Sequence, residues 1–393
     1  MRDKDRYWDC LDEAMQAAQE GRTDAALVWL DEALEENPGG AEARNGRGEI
    51  LWDEGKVEEA VYEFDQALEA DSKFITAHLN RAELLIEEFA EYEQAIDHCD
   101  RLLGGGPDLP RPDRPTEAEI LYLKSKALFY LDDLDGALFL VRRALRAGGE
   151  QSIYRAFEGQ ILYEMGSFQD ARRPLERAVA MDPESGHAVY HLGLALERVS
   201  EDREESERCF ERADALDPEH YPMPIQIDEA RFERAAEEAL RNLPRSIRDY
   251  VEGVPVLVEE FPSTELVSNE NVSPQILGIF IGVPRTEASV SQPQTDLDRV
   301  ILFKRSLERM CRNEGELIEQ IQITVKHEIG HYLGLSEGPK MEHTVRTPIH
   351  PRWLRCAPCA VATAMAQSRA LPARRLDARP AHPILGQAPI LSS

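Results

Sequence analysis

The stretch Gln320-Ile321-Gln322-Ile323-Thr324-Val325-Lys326-His327-Glu328-Ile329-Gly330-His331-Tyr332-Leu333-Gly334-Leu335-Ser336-Glu337 decides how the C-terminal half of the chain is read. Ile321, Val325 and Ile329 recur every four residues, the period of a helix buried along one side, and the spacing predicts a helix over 315–333. His327 and His331 are also four apart, so they share a face and can offer imidazole nitrogens to a single Zn²⁺. Glu328 lies about 100° round the helix, beside the open position of such an ion, where a general acid/base would stand. Gly334 follows the last periodic residues, where a left-handed residue ends a helix and turns the chain back. Glu337 is then placed to return to the metal.

Composition sets outer limits. A chain of 393 residues with 42 % hydrophobic content is long enough for two or three domains with packed cores. The formal net charge of −29 argues against general affinity for nucleic acid or for an anionic membrane surface, although most such charges solvate helix faces. The six cysteines, at 10, 99, 209, 311, 356 and 359, show no disulfide framework and fit free thiols in a reducing compartment. The opening Met-Arg-Asp-Lys-Asp-Arg-Tyr-Trp lacks the apolar core of a secretory signal, and no apolar run is long enough to span a bilayer. The cytoplasm is the expected compartment. Nothing here fixes an oligomeric state.

Residues 1–220 carry an internal repeat of 34 residues. In the clearest unit, from Ser152, the positions Gly159, Leu162, Gly166, Ala171, Leu175, Ala178 and Pro183 alternate small residues with large apolar ones. Gly48, Leu51, Gly55, Ala60, Phe64 and Ala67 repeat the pattern from Ala41, and four further units with partial matches bring the count to six. This array resembles the tetratricopeptide repeat family over about 7–218. The resemblance implies an α-solenoid of helical hairpins whose inner side binds peptides or partner proteins. A Gly- and Pro-rich loop is expected from Gly104 through Pro115, between the third and fourth units.

Tyr221-Pro222-Met223-Pro224 is expected to stop the last repeat helix and open a second domain over 221–337. An amphipathic helix is predicted over 228–242, with Phe232, Ala235, Ala236, Ala239 and Leu240 inward, then a turn or two of helix from Arg245. Strands are predicted at 254–259, 277–282 and 299–303, the first near a sheet edge because of Pro255. Residues 263–274 and 284–298 read as polar loops, and 304–312 as a short helix. This α+β pattern, ending in His327-Glu328-Ile329-Gly330-His331-Tyr332-Leu333-Gly334-Leu335-Ser336-Glu337, resembles the small bacterial zincin-like metallopeptidases over about 228–337. The resemblance implies that His327 and His331 are zinc ligands, that Glu328 is the catalytic acid/base and that Glu337 is the third protein ligand, at a position the family usually fills with Asp. The strand at 277–282 is a candidate to align an extended substrate. Tyr332 is a candidate to stabilise an oxyanion, although a tyrosine beside a buried helix ordinarily packs.

Residues 338–393 break with everything before them. They hold eight Lys and Arg against two acids, and eight of the 24 prolines, with no sustained helical or strand period. Either a disordered basic extension follows Glu337 or the reading frame has slipped there; the abrupt Gly338-Pro339-Lys340 favours the slip. Cys356-Ala357-Pro358-Cys359 has no second pair, and His343, His350 and His382 have no ligand partner at a meaningful spacing. The expected whole is α-rich: a tetratricopeptide α-solenoid followed by a small α+β zincin-like domain. Two functions fit it, a zinc-dependent peptidase whose array docks protein substrates, and a repeat scaffold whose zincin-like domain binds metal but is idle.

Overall fold

The structure, a computed structural model, describes residues 2–105, 109, 111–199, 203–251, 253–269, 272–282 and 298–333. Twelve helices pair as antiparallel hairpins: α1 (Arg2–Gln19) with α2 (Thr23–Glu36), α3 (Ala41–Asp53) with α4 (Val57–Ala70), α5 (Ile75–Glu87) with α6 (Tyr92–Gly104), α7 (Arg114–Tyr130) with α8 (Leu134–Gly148), α9 (Ser152–Glu164) with α10 (Phe168–Met181), and α11 (Gly186–Val199) with α12 (Arg203–Leu216). The small residues of the repeat let the two helices of a hairpin touch. A Cβ added to Gly159 would sit 2.4 Å from Cγ of Leu175, and one added to Gly48 would sit 2.5 Å from the ring of Phe64. Gly166 takes φ +75° between α9 and α10, a left-handed turn that costs a side chain dearly and glycine little.

Two boundaries differ from the sequence expectation. Pro115 lies in the first turn of α7, where its missing N–H is no loss, and Asp113 caps that helix by accepting from the backbone N–H of Thr116 at 3.0 Å; the loop therefore ends at Asp113. Helix α12 ends at Leu216, just before Asp217-Pro218, because the residue before a proline is driven out of helical conformation. Residues 222–228 then run without regular structure.

The chain divides into two compact units, with Gly149 the last repeat residue of the first and Glu150 the start of the second. The first holds α1–α8. The second contains α9–α12 together with α13 (Glu229–Arg241), α14 (Arg245–Val251), β1 (Val256–Glu259), α15 (Thr264–Asn269), β2 (Gly278–Ile281), β3 (Arg299–Phe303), α16 (Lys304–Met310) and α17 (Glu314–Tyr332). Helix α15 replaces part of an expected loop. The sheet order is β1-β3-β2, with β1 parallel and β2 antiparallel to β3, so among the described residues β1 stands at an edge, as Pro255 suggested. Phe232, Ala235, Ala236 and Ala239 of α13 share one core with Val300 and Leu302 of β3 and with Leu317, Ile321, Val325 and Ile329 of α17. Each large aliphatic side chain buried there contributes on the order of 2 kcal/mol.

Within the second unit, the last two hairpins are fastened to the α+β part by buried charge. Glu308 of α16 is 0 % exposed. It accepts from the backbone N–H of Ile227 at 3.0 Å and pairs with Lys304 at 2.8 Å and Arg305 at 3.3 Å. Glu197 of α11 pairs with Arg305 at 3.4 Å and with Arg309. Glu164 of α9 accepts from Ser273 Oγ at 2.9 Å and Gln275 Nε2 at 2.7 Å. Arg198 donates to the carbonyl of Pro262 at 2.8 Å while its guanidinium lies 4.2 Å from the Phe168 ring centre and 4.9 Å from that of Phe261. Buried charges of this kind persist only when paired, since an isolated one costs several kcal/mol.

Candidate metal site

Helix α17 is strongly specified at its start. Asn313 caps it by accepting from the backbone N–H of Glu316 at 3.1 Å, and the Glu316 carboxylate returns to the backbone N–H of Arg312 at 2.8 Å, a reciprocal arrangement that fixes the helix entry. Its apolar side lies in the core described above, and this fixes which residues face elsewhere. Leu333 closes the helix, its N–H bonding to the carbonyl of Ile329 at 3.0 Å.

His327 and His331 fall on the accessible side of α17. Their Nε2 atoms are 3.0 Å apart, with ring centres at 4.6 Å and planes at 83°. Two nitrogens bound tetrahedrally at 2.0–2.1 Å to one zinc would lie roughly 3.3 Å apart, so the pair fits a shared ion within a few tenths of an ångström. The donor chemistry agrees: with the ring protons on Nδ1, both Nε2 atoms carry a lone pair free to bind a metal. Among the described residues no third His, Cys, Asp or Glu joins them in a metal-holding group. Glu337, the expected third ligand, lies outside the described residues, as do the tail 338–393 and its Cys356, Cys359, His343, His350 and His382.

Glu328 is 7 % exposed. Residues 324, 328 and 332 form one line along the helix, each a turn from the next. At one end of that line Thr324 meets Gly278 of β2: a Cβ on Gly278 would stand 2.8 Å from the Thr324 γ-methyl. At the other end the Tyr332 ring, 1 % exposed, packs edge-on against Phe280 of β2 with ring centres 5.4 Å apart. The Glu328 carboxylate thus starts from the helix line that faces β2, midway between the two contacts. The Tyr332 ring is a core element. Among the described residues β2 pairs on one side only, with β3, and it packs beside α17.

The buried pairs of Glu197, Arg305, Glu308 and Arg309 were not legible as such. Their only signal was the i, i+3 and i, i+4 spacing of charge in Lys304-Arg305-Ser306-Leu307-Glu308, which reads equally well as a solvated helix face.

A profile of the zincin-like metallopeptidases matches residues 251–345, and one of the tetratricopeptide repeat matches residues 11–73 and 158–221. The chain carries tetratricopeptide repeats and a zincin-like metallopeptidase domain. The zincin match spans β1 to α17, takes in Glu337 and runs on to residue 345. Among solved structures the chain is similar to YrrB, a tetratricopeptide repeat protein with an unusual peptide-binding site (23 % identity over 49 % of this chain and 93 % of that one, TM-score 0.33). It is also similar to pilF of Pseudomonas aeruginosa (20 % identity, 56 % and 95 % covered, TM-score 0.45) and to the type IV pilus biogenesis factor PilW (14 % identity, 55 % and 96 % covered, TM-score 0.47). No curated protein matches the chain. No described helix is long and apolar enough to cross a membrane.

Proposed function

We propose that the chain is a zinc-dependent peptidase whose repeats dock protein partners or substrates. The observation that carries this is the convergence of two imidazole Nε2 atoms at 3.0 Å next to a buried carboxylate on the same helix. His327 and His331 hold the zinc, and Glu337 completes the protein ligands. Zinc bound there supplies a Lewis acid for the scissile carbonyl and a water whose pKa falls to about 7. Glu328 takes the proton from the attacking water and delivers it to the amine nitrogen as the C–N bond breaks. An extended peptide paired with the outer edge of β2 would gain main-chain hydrogen bonds and lie alongside the helix line that carries Glu328.

The test is Glu328→Gln in the full chain. Zinc content should stay at about one per chain, while hydrolysis of a broad peptide library should be lost. Wild-type protein that binds zinc yet cleaves nothing would instead support the idle scaffold, and protein that binds no zinc would remove both.

A further inference from the structure

Gly278 of β2 leaves no room for a side chain against Thr324 of α17, one turn before Glu328. A Cβ on Gly278 would meet three things: the Thr324 γ-methyl at 2.8 Å, the carbonyl oxygen of Ile301 at 3.1 Å and the Leu302 side chain at 3.2 Å. None of these can retreat easily. The Thr324 hydroxyl donates to the carbonyl of Gln320 at 2.9 Å, and this holds the rotamer that aims the methyl at β2. The Ile301 oxygen belongs to the central strand of the sheet, and Leu302 is in the core. Ordinary carbon contacts stand at about 3.5–4.0 Å, so a side chain at 278 would push edge strand and helix apart by roughly 1 Å.

We propose that Gly278 and the Thr324 γ-methyl set the separation between the edge strand β2 and the metal helix α17. They act as positioning residues that bring a peptide lying along β2 within reach of Glu328. This rests on the peptidase reading for its catalytic consequence, but not for its structural one. Thr324 precedes His327 by three residues and Glu328 by one full turn, so a displacement there is passed directly to the acid/base. The histidines lie roughly 60–100° round the helix from Glu328, off the line that packs on β2, and zinc retention should respond less.

The experiment is a double-mutant cycle in the full chain with Gly278→Ala and Thr324→Ser. The serine keeps the hydroxyl that bonds Gln320 and deletes only the methyl. Three quantities are read: amide hydrogen exchange over 278–281, zinc affinity by competition with a chromophoric chelator, and kcat and KM on fluorescein-labelled casein. Strand propensity alone predicts that Gly278→Ala should slow exchange, because glycine weakens a strand interior. The contact predicts the reverse sign: faster exchange for Gly278→Ala, and at least half of the loss recovered on adding Thr324→Ser. Zinc affinity should change by less than about threefold in all variants, whereas kcat of Gly278→Ala should fall roughly tenfold to a hundredfold, the scale of a misplacement of about 1 Å, and recover in the double variant. Slower exchange in Gly278→Ala, or no recovery by Thr324→Ser, overturns the proposal even if wild-type protein cleaves casein. If casein is not cleaved but the exchange cycle shows the recovery, the positioning contact stands and the peptidase reading is what fails.

Discussion

Glu197→Gln is the sharpest probe of how the repeats and the α+β part of the second unit are held together. Glu197 leaves α11 and meets two guanidiniums of α16, Arg305 at 3.4 Å and Arg309. The side chains of Glu197 and Arg309 are 7 % and 2 % exposed, so the pair is removed from solvent screening. Burial is the largest single effect and disfavours the Arg309 cation, but the Glu197 carboxylate together with Tyr163 and Tyr190 more than offsets it and holds its pKa above the ordinary arginine value. Replacing the carboxylate by an amide leaves Arg305 with Glu308, while Arg309 loses its anion. An uncompensated buried charge costs about 3–5 kcal/mol, and the lower end applies because the amide oxygen still accepts one N–H. In a unit of this size that corresponds to a fall in Tm of roughly 6–12 °C. The assay is thermal unfolding by circular dichroism, with hydrogen exchange over 304–310 to localise the effect. Glu197→Gln combined with Arg309→Met removes both charges and should restore most of the loss, since an apolar replacement of a buried pair is close to neutral. A single variant within about 1 kcal/mol of wild type, or a double variant no better than the single, would refute the reasoning.

Two further outcomes follow from the repeats. His98 is buried, its Nε2–H donates to the carbonyl of His78 at 3.2 Å and its Nδ1 accepts from Arg101 at 3.1 Å; burial, then His78 and the nearby arginines, depress its pKa to about 4. The unfolded chain takes up the proton near pH 6.5 and the folded chain only near 4, so stability present above 6.5 is lost as pH falls from 6.5 to 4, by up to about 3 kcal/mol. His98→Gln should flatten that window in urea titrations followed by tryptophan fluorescence, which reads Trp8, Trp29 and Trp52 of the first unit. Gly159→Val should lower Tm, because its Cβ would stand 2.4 Å from Leu175 Cγ and overpacking of this kind costs about 1–3 kcal/mol.

The repeats were legible because each helix pair solves the same packing problem at a fixed interval. Gly48 and Gly159 recur at one position of the period, and in both hairpins that is where a Cβ would strike the large residue sixteen positions on, Phe64 or Leu175. Where the pattern changes, the solution changes with it: Ser125 of α7 is buried and bonds the carbonyl of Ala137 at 2.7 Å. The errors lay at element ends. Proline usually interrupts a helix, yet in the first turn of α7 Pro115 costs no hydrogen bond; and a six-residue helix such as α15 is too short for any period to declare itself.

The site was legible only in part, for a physical reason. The His327 and His331 pair depends on helix pitch alone, so a spacing of four was enough to place two nitrogens 3.0 Å apart. What faces them from outside the helix depends on tertiary packing, which spacing does not encode. Gly278 carried no more meaning than any other glycine in a strand until Thr324 was found against it, and Glu308 looked like a surface acid until Ile227, Lys304 and Arg305 were found around it. Both features bear on the same helix. α16 packs on α17 and carries the charges that hold the last repeat, while β2 fixes the line on which Glu328 lies. The repeats nearest the α+β domain are therefore part of the frame that orients α17, and loosening Glu197 should disturb β2 and α17 as well as the junction itself.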